Sequence, residues 1–407
     1  MKEDIMAKIS VIEKAMDKGE GILRLAPSWV PRAFCRPGKR LRLHNDDYYV
    51  LGLERGGIDE RWFSSTTHAD NGPNTPEDEG LSYVIADEAG NEKITLLEAV
   101  EMLKSDIVGD EIWQKHAGWP MYSKFFDNLG PLPHHIHHGS KHAAMVGERG
   151  KPEMYYYPSQ YNNHPGEFGY TFFGLNPGTA KEQVKECLMN FTKGDNKILD
   201  LSRCYTLPLD AGFDVPPGVL HAPGSLCTYE PQVASDVYAM YQSVLYGGHC
   251  VPSELLWKNT PEDKIGDYDH LIDVIDWQLN VDPEFYENRF MAPKPCVTQE
   301  EDEGYTQEWI CYKCDAVSAK KLTVNPGCKV KIKDQVAYGM ILVQGYGIMG
   351  VHRLESPTQI RYGQLTYDEY FVTCDAANKG VWIENLSKSE PLVMLKHFAD
   401  NPELSTL

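Results

Sequence analysis

The alternation of hydrophobic and polar positions divides the chain into a short helical start, a β-rich middle with helices set into it, and an almost purely β end. Near the N-terminus Ile5, Ile9, Ile12 and Met16 recur at helical spacing among charged residues, which predicts an amphipathic helix and not a signal peptide. Residues 21–43 are broken by Pro27, Pro31 and Pro37 and read as an extended arm. Residues 46–63 read as two short strands around Gly56 and Gly57, and 69–80 as a loop on composition. Helical spacing returns over 94–109, where Gly109 supplies a stop, and over 176–194, where Asn176 or Thr179 can cap and Gly194 can end the helix. From Leu207 to Gly248 the pattern is β again, with turns at Gly212, Pro217-Gly218 and Gly247-Gly248. A further helix is expected over 268–279.

The acidic run at 300–304 reads as a linker, and beyond it evenly spaced short strands with glycine turns predict a sandwich or small barrel. The expected organisation is therefore a helix and arm over 1–44, then a first β domain over 45–290. That domain carries helical insertions near 174–200 and 258–288, and a second β domain follows over 305–407.

Composition adds exclusions. The chain has 407 residues, 42% of them hydrophobic, and a formal net charge of −20. That charge argues against nucleic acid or an anionic membrane as partner, since both need a basic face. No apolar run approaches the roughly 18 residues of a membrane-spanning helix, so a cytoplasmic protein is expected. Ten cysteines are scattered along the chain. Cys311 and Cys314 form the one close pair, and a structural zinc there would need Cys296 and Cys328 brought near by the fold.

The candidate chemistry lies in Gly130–Pro158, GPLPHHIHHGSKHAAMVGERGKPEMYYYP, and in VPPGVLHAPG at 215–224. In a strand, residues i and i+2 share a face. Among the clustered histidines that relation selects His135 and His137, while His134 and His138 point the other way. Glu153 follows after a turn, and His221 follows the turn at Pro216-Pro217-Gly218. Histidines with one carboxylate suit a single divalent ion. Zinc leads, iron, manganese and nickel also fit, and positions stay open for water or substrate. His138 and His142 are the reserves if the register differs. His116, His249, His270 and His397 read as ordinary histidines, and the run Tyr155–Tyr157 reads as core.

The order HxH, Glu, then PxGxxH resembles the two motifs of the cupin superfamily, whose members are double-sheet jelly rolls. The match extends to the type I mannose-6-phosphate isomerases. MYSKFFDNLGPLPHHIHH resembles that family's segment in which a lysine and an aspartate precede the metal-binding strand, with His135 in its glutamine position and His137 in its histidine position. Gly150-Lys151-Pro152-Glu153 is similar to its Gly-Lys-x-Glu, and Gly218 to Ala222 to its Gly-x-x-His-Ala. Glu230, Ser235-Asp236 and Glu60-x-Trp62 match further landmarks. The resemblance covers roughly residues 45–400. It implies a mainly β protein with two cupin domains, helical insertions and a metal site in the first domain only. Two positions depart from it. His135 replaces glutamine, and the family arginine that serves the sugar falls near Met240, with Lys258 the nearest later basic residue.

The resemblance implies an aldose–ketose isomerase that moves a proton between adjacent carbons of a sugar or sugar phosphate. The metal ligands would be His135, His137, Glu153 and His221. Lys151, on the same strand face as Glu153 by period two, and Glu230 are the acid/base candidates. An iron(II) dioxygenase and a sugar-binding cupin without turnover are the alternative classes. An oligomer is compatible with either. The second β region lacks HxH, with only His352 and His397 among its histidines, and is expected to pack or cover.

Overall fold

The computed structural model describes residues 2–162, 169–296 and 304–407. Most of the acidic run expected as a linker lies outside the described residues.

The strands form sheets of nine, five, seven and four members. The seven-stranded sheet runs in the order Phe290–Met291, Gly212–Val215, Glu153–Tyr156, Thr228–Val233, Met121–Phe126, Gly57–Phe63, Ser28–Arg32. One face packs on the five-stranded sheet through Phe126, Tyr155, Phe213, Ile136 and Phe173. Its other face packs on the nine-stranded sheet through Phe63, Phe125, Met154 and Tyr156 against Ile310, Ile341, Phe371 and Leu395. The nine-stranded sheet in turn covers the four-stranded one through Leu322, Met340 and Met394 against Val330, Met349 and Ile383. Two β-sandwiches thus stand back to back, and the seven-stranded sheet is buried on both faces. Its strands are therefore buried at nearly every position, alternate residues serving alternate cores.

The prolines of residues 21–43 hide two strands where an arm is expected. Ile22–Ala26 pairs with Glu369–Val372 and with Tyr83–Ile85, and so joins the nine-stranded sheet. Ser28–Arg32 pairs with Gly57–Phe63 at the edge of the seven-stranded sheet. Pro27 lies between these strands, and Pro31 sits on that edge, where a missing N–H costs no ladder bond. Only the second expected strand of 46–63 forms. The first is replaced by tight turns, with Gly52 and Gly56 at positive φ. The helix expected over 94–109 breaks at Lys104, φ 50°, into Leu96–Leu103 and Ser105–Val108. The insertion helix is shorter than expected, Lys181–Met189, and starts at Ala180 without a side-chain cap. The helix expected over 268–279 is two short ones, Tyr268–Val274 and Trp277–Asn280, each capped by an aspartate, Asp267 and Asp276. The N-terminal helix forms as expected, Lys2–Gly19, with Ile12 and Ala15 in the core.

Polar groups cross the interface between the large sheets. Arg61 holds Asp368 through two bonds of 2.8 Å and reaches Glu369 at 3.3 Å. His397 Nδ1 lies 2.8 Å from Ser123 Oγ and 2.9 Å from Tyr229 OH. It is one more buried interface histidine, kept neutral because burial drives its pKa down to about 3. Removing one partner of such a buried pair strands a charge, at a cost of about 3–5 kcal/mol. Glu369 is the group under tension. Burial, against the pull of Arg61, raises its pKa to about 8.

The sign follows from linkage. Between the unfolded carboxyl value and 8 the folded chain holds a proton that the unfolded chain has released, so stability falls as pH rises. Glu369→Gln mimics the protonated form. Measured by urea unfolding, the variant should gain on the parent by up to about 1.4 kcal/mol per pH unit from pH 5 to 8, then level off. A difference that stays flat across that range would refute the assignment.

Candidate metal centre

The five-stranded sheet supplies the histidines. His135 lies on the short strand His135–Ile136, His221 is its cross-strand partner on His221–Ala222, and Met240 pairs with it from the other side. His137 follows just beyond the strand end. The ring centroids lie 4.1 Å apart for His135 and His221, 5.0 Å for His135 and His137, and 5.1 Å for His137 and His221. Among the described residues these are the histidines, cysteines and acids whose ligand atoms come, three together, within 4.8 Å of one another. His134 faces away and meets Ser202 Oγ at 2.8 Å. His142 bonds Asp273 at 3.0 Å, and neither it nor His138 joins the cluster. The pair Cys311 and Cys314 gathers no ligand group, and the cysteines are free thiols.

Backbone carbonyls set the tautomer of each ring. His135 Nδ1 lies 2.7 Å from Pro133 O, His137 Nδ1 2.7 Å from Val237 O, and His221 Nδ1 2.8 Å from Val219 O. A carbonyl only accepts, so each Nδ1 carries a proton, and in a neutral ring the lone pair then lies on Nε2. Burial pushes His135 well below the usual imidazole range, and His221 and His137 beside it add to the effect. Burial likewise takes His137 down to about 4, against the pull of Glu153. Both rings are therefore neutral at pH 7, the form that binds metals.

The seven-stranded sheet supplies Glu153 from the opposite side. Its Oε2 lies 3.1 Å from His137 Nε2, and its Oε1 3.2 Å from His221 Nε2. Lys151 Nζ stands beside the first of these pairs, 3.3 Å from His137 Nε2 and 3.2 Å from Glu153 Oε2. His221 Nε2 and Glu153 Oε2 are buried without a hydrogen-bond partner, a cost of about 1–3 kcal/mol each if left so. Tyr155 OH donates to Glu153 Oε1 at 2.5 Å and orients the carboxylate. The donor set of three imidazoles and one carboxylate therefore fits a divalent ion.

Period-two alternation places a row of charges on the same face as Glu153. Lys151 Nζ lies 3.2 Å from Glu153 and 3.7 Å from Glu230. Lys124 stands 3.4 Å from Glu230 and 3.5 Å from Glu60. Arg32 clasps Glu60 through two bonds of 3.2 Å and Asp236 through bonds of 3.1 and 3.2 Å. Trp62 Nε1 donates to Glu60 at 2.6 Å. Burial raises the Glu230 carboxyl well above its usual range, and Glu153 adds to this. Burial acts upward on Glu60 and Asp236 too. The cations win there: Arg32 and Lys124 hold Glu60 below its usual range, and Arg32 leads in bringing Asp236 to about 2.

These groups line a chamber of about 30 Å³, whose remaining wall is Phe34, Leu132, Pro223, Tyr238 and Met240. The structure thus brings together His135, His137, Glu153, His221, Lys151 and Glu230. Lys151 is buried, not a surface side chain. Arg32, Glu60, Lys124 and Asp236 were not singled out as site residues from sequence, although Glu60, Lys124 and Asp236 are landmarks of the resemblance. A lysine inside the otherwise apolar strand MYSKFF, on the same face as Tyr122 and Phe126, is the signal that points to Lys124.

No protein-family model matches the chain, and no curated protein matches it in sequence. Solved structures do match. A mannose 6-phosphate isomerase from Bacillus subtilis superposes with a TM-score of 0.61 at 16% identity, over 93% of this chain and 99% of that one. A putative mannosephosphate isomerase from Archaeoglobus fulgidus gives 0.60 at 14%, over 93% and 97%. A zinc-bound mannose 6-phosphate isomerase gives 0.61 at 11%, over 93% and 99%. The chain has the two-cupin fold of the mannose 6-phosphate isomerases. At these identities the likeness is one of fold, and it covers both sandwiches. No described helix is long and apolar enough to cross a membrane.

Two substitutions test the centre. His221→Ala should lose stoichiometric zinc after dialysis, read by elemental analysis. Tyr155→Phe should keep the metal with affinity weaker by about 10–100-fold, the usual effect of losing a group that orients a ligand. Parent-like zinc content and affinity in both variants would contradict the arrangement.

Proposed function

We propose that this chain is a metal-dependent aldose–ketose isomerase, with His135, His137, Glu153 and His221 as ligands of one divalent ion. The observation that carries the reading is the convergence of His135, His137 and His221 at one buried point, with Glu153 3.1 and 3.2 Å from two of the rings and His221 Nε2 left without a hydrogen-bond partner. Zinc is the leading candidate, in keeping with the zinc-bound mannose 6-phosphate isomerase that shares the fold.

A bound divalent ion would supply Lewis acidity to two neighbouring sugar oxygens. The chain's own groups handle the protons. Isomerisation breaks the C2–H bond, places its electron pair between C1 and C2, and returns a proton at C1, while the hydroxyl proton passes from O2 to O1. Lys151 and Glu230, 3.7 Å apart on the chamber floor, are the acceptor and donor for that exchange. Burial and the neighbouring Glu153 carboxylate shift Glu230 toward its protonated form relative to an ordinary carboxyl group. Lys124 stands beside Glu230 and keeps it in place. The chamber holds little more than one water as it stands, so a sugar is admitted when Phe34, Leu132 and Tyr238 part. Residues 45–290 carry this chemistry in the proposal, and 305–407 form the packing partner.

The test is proton exchange at C2. The zinc- or manganese-loaded protein, incubated anaerobically with an aldose in heavy water, should form the ketose and take up deuterium. Glu230→Gln and Lys151→Met should each lower kcat by about 10²–10⁴-fold, the usual range for a lost acid or base, with metal content unchanged. Oxygen consumption by the iron-loaded protein, with no exchange, would replace this reading by the dioxygenase.

A further inference from the structure

The chamber's charges are already matched to one another. From Asp236 the sign alternates through Arg32, Glu60, Lys124, Glu230 and Lys151 to Glu153, each member within 3.7 Å of the next. Arg32 spends both of its outer nitrogens and its Nε on Glu60 and Asp236. Lys124 is held between two carboxylates, and so is Lys151. No cation lining the chamber is left without a carboxylate beside it.

The capacity that remains open is of the opposite kind. Glu230 Oε1 is a buried carboxylate oxygen that makes no hydrogen bond, with Lys124 and Lys151 standing 3.4 and 3.7 Å away. Hydroxyl hydrogens satisfy such atoms, whereas a phosphate dianion has none to give and would meet carboxylate oxygens head on. The outer wall offers no alternative anchor. Phe34, Leu132, Pro223, Tyr238 and Met240 present apolar and aromatic surface where a substrate's far end would lie. Lys258, on the outer side of this wall, lies over the Tyr238 ring and is itself paired with Asp70 at 2.8 Å. Aromatic faces and buried carboxylates together suit the C–H and O–H edges of a neutral polyol.

We infer that the site takes an unphosphorylated sugar, and that the apolar rim with the charge-paired floor excludes its phosphate. This inference rests on the isomerase reading above for the word sugar, and on the chamber's charge pairing for the word unphosphorylated.

The experiment compares mannose with mannose 6-phosphate, and an alditol with its phosphate, on the zinc-loaded full chain. Turnover is read as kcat/KM, and binding as protection of the zinc from extraction by a chelator. The neutral member of each pair should be preferred at least tenfold in both readouts. Equal or better use of the phosphate would overturn this inference and leave the isomerase standing. Protection by neither alditol, with no turnover of either sugar, would overturn both. Glu60→Gln sharpens the comparison, because it removes a carboxylate and releases one side of Arg32. In that variant, checked for folding by circular dichroism, discrimination against the phosphate should fall severalfold. Unchanged discrimination would count against charge pairing as its cause.

Discussion

The site rests on the burial of alternating charges on one face of the seven-stranded sheet. That sheet lies between two apolar cores, where an isolated charge costs several kcal/mol to desolvate. Each ionised group there can exist only beside an opposite one. Asp236, Arg32, Glu60, Lys124, Glu230, Lys151 and Glu153 satisfy this rule along a single line that crosses neighbouring strands. The line ends at the histidines, where the last carboxylate oxygen and His221 Nε2 have no hydrogen-bond partner. The gap in the pairing is where a divalent ion fits, so the metal reading and the stability of the floor share one cause.

The centre was legible in the sequence because strand geometry is periodic. Period two selects His135 with His137 and Lys151 with Glu153, and the turn at Pro216-Pro217-Gly218 aims His221 back across the sheet. The structure puts His135 and His221 in cross-strand register, a closeness that spacing alone does not reveal. Arg32 was hidden for a local reason. Prolines at 27 and 31 make its strand look like an arm, yet Pro31 sits on a sheet edge where it costs nothing. The exchange of Ile22–Ala26 into the nine-stranded sheet was likewise invisible, since pairing with Glu369–Val372 joins residues nearly the whole chain apart.

The positions that depart from the isomerase resemblance sit side by side. Met240 pairs with His135 on adjacent strands, so an added imidazole and an apolar side chain occupy neighbouring points of the chamber wall. The imidazole adds a nitrogen donor to the histidine cluster, and Met240 adds apolar surface to the chamber wall. With Phe34 and Tyr238 beside it, that wall contrasts with a floor built almost wholly of charge. In the proposed function, one end of a substrate would meet the metal ligands and carboxylates, the other carbon.

The most direct measurement is X-ray absorption at the zinc edge of the metal-reconstituted protein. The ion should be surrounded by three nitrogen scatterers with imidazole signatures and one oxygen, all at about 2.0–2.2 Å. A sulfur shell at about 2.3 Å, or fewer than three imidazoles around the ion, would contradict the assigned ligand set.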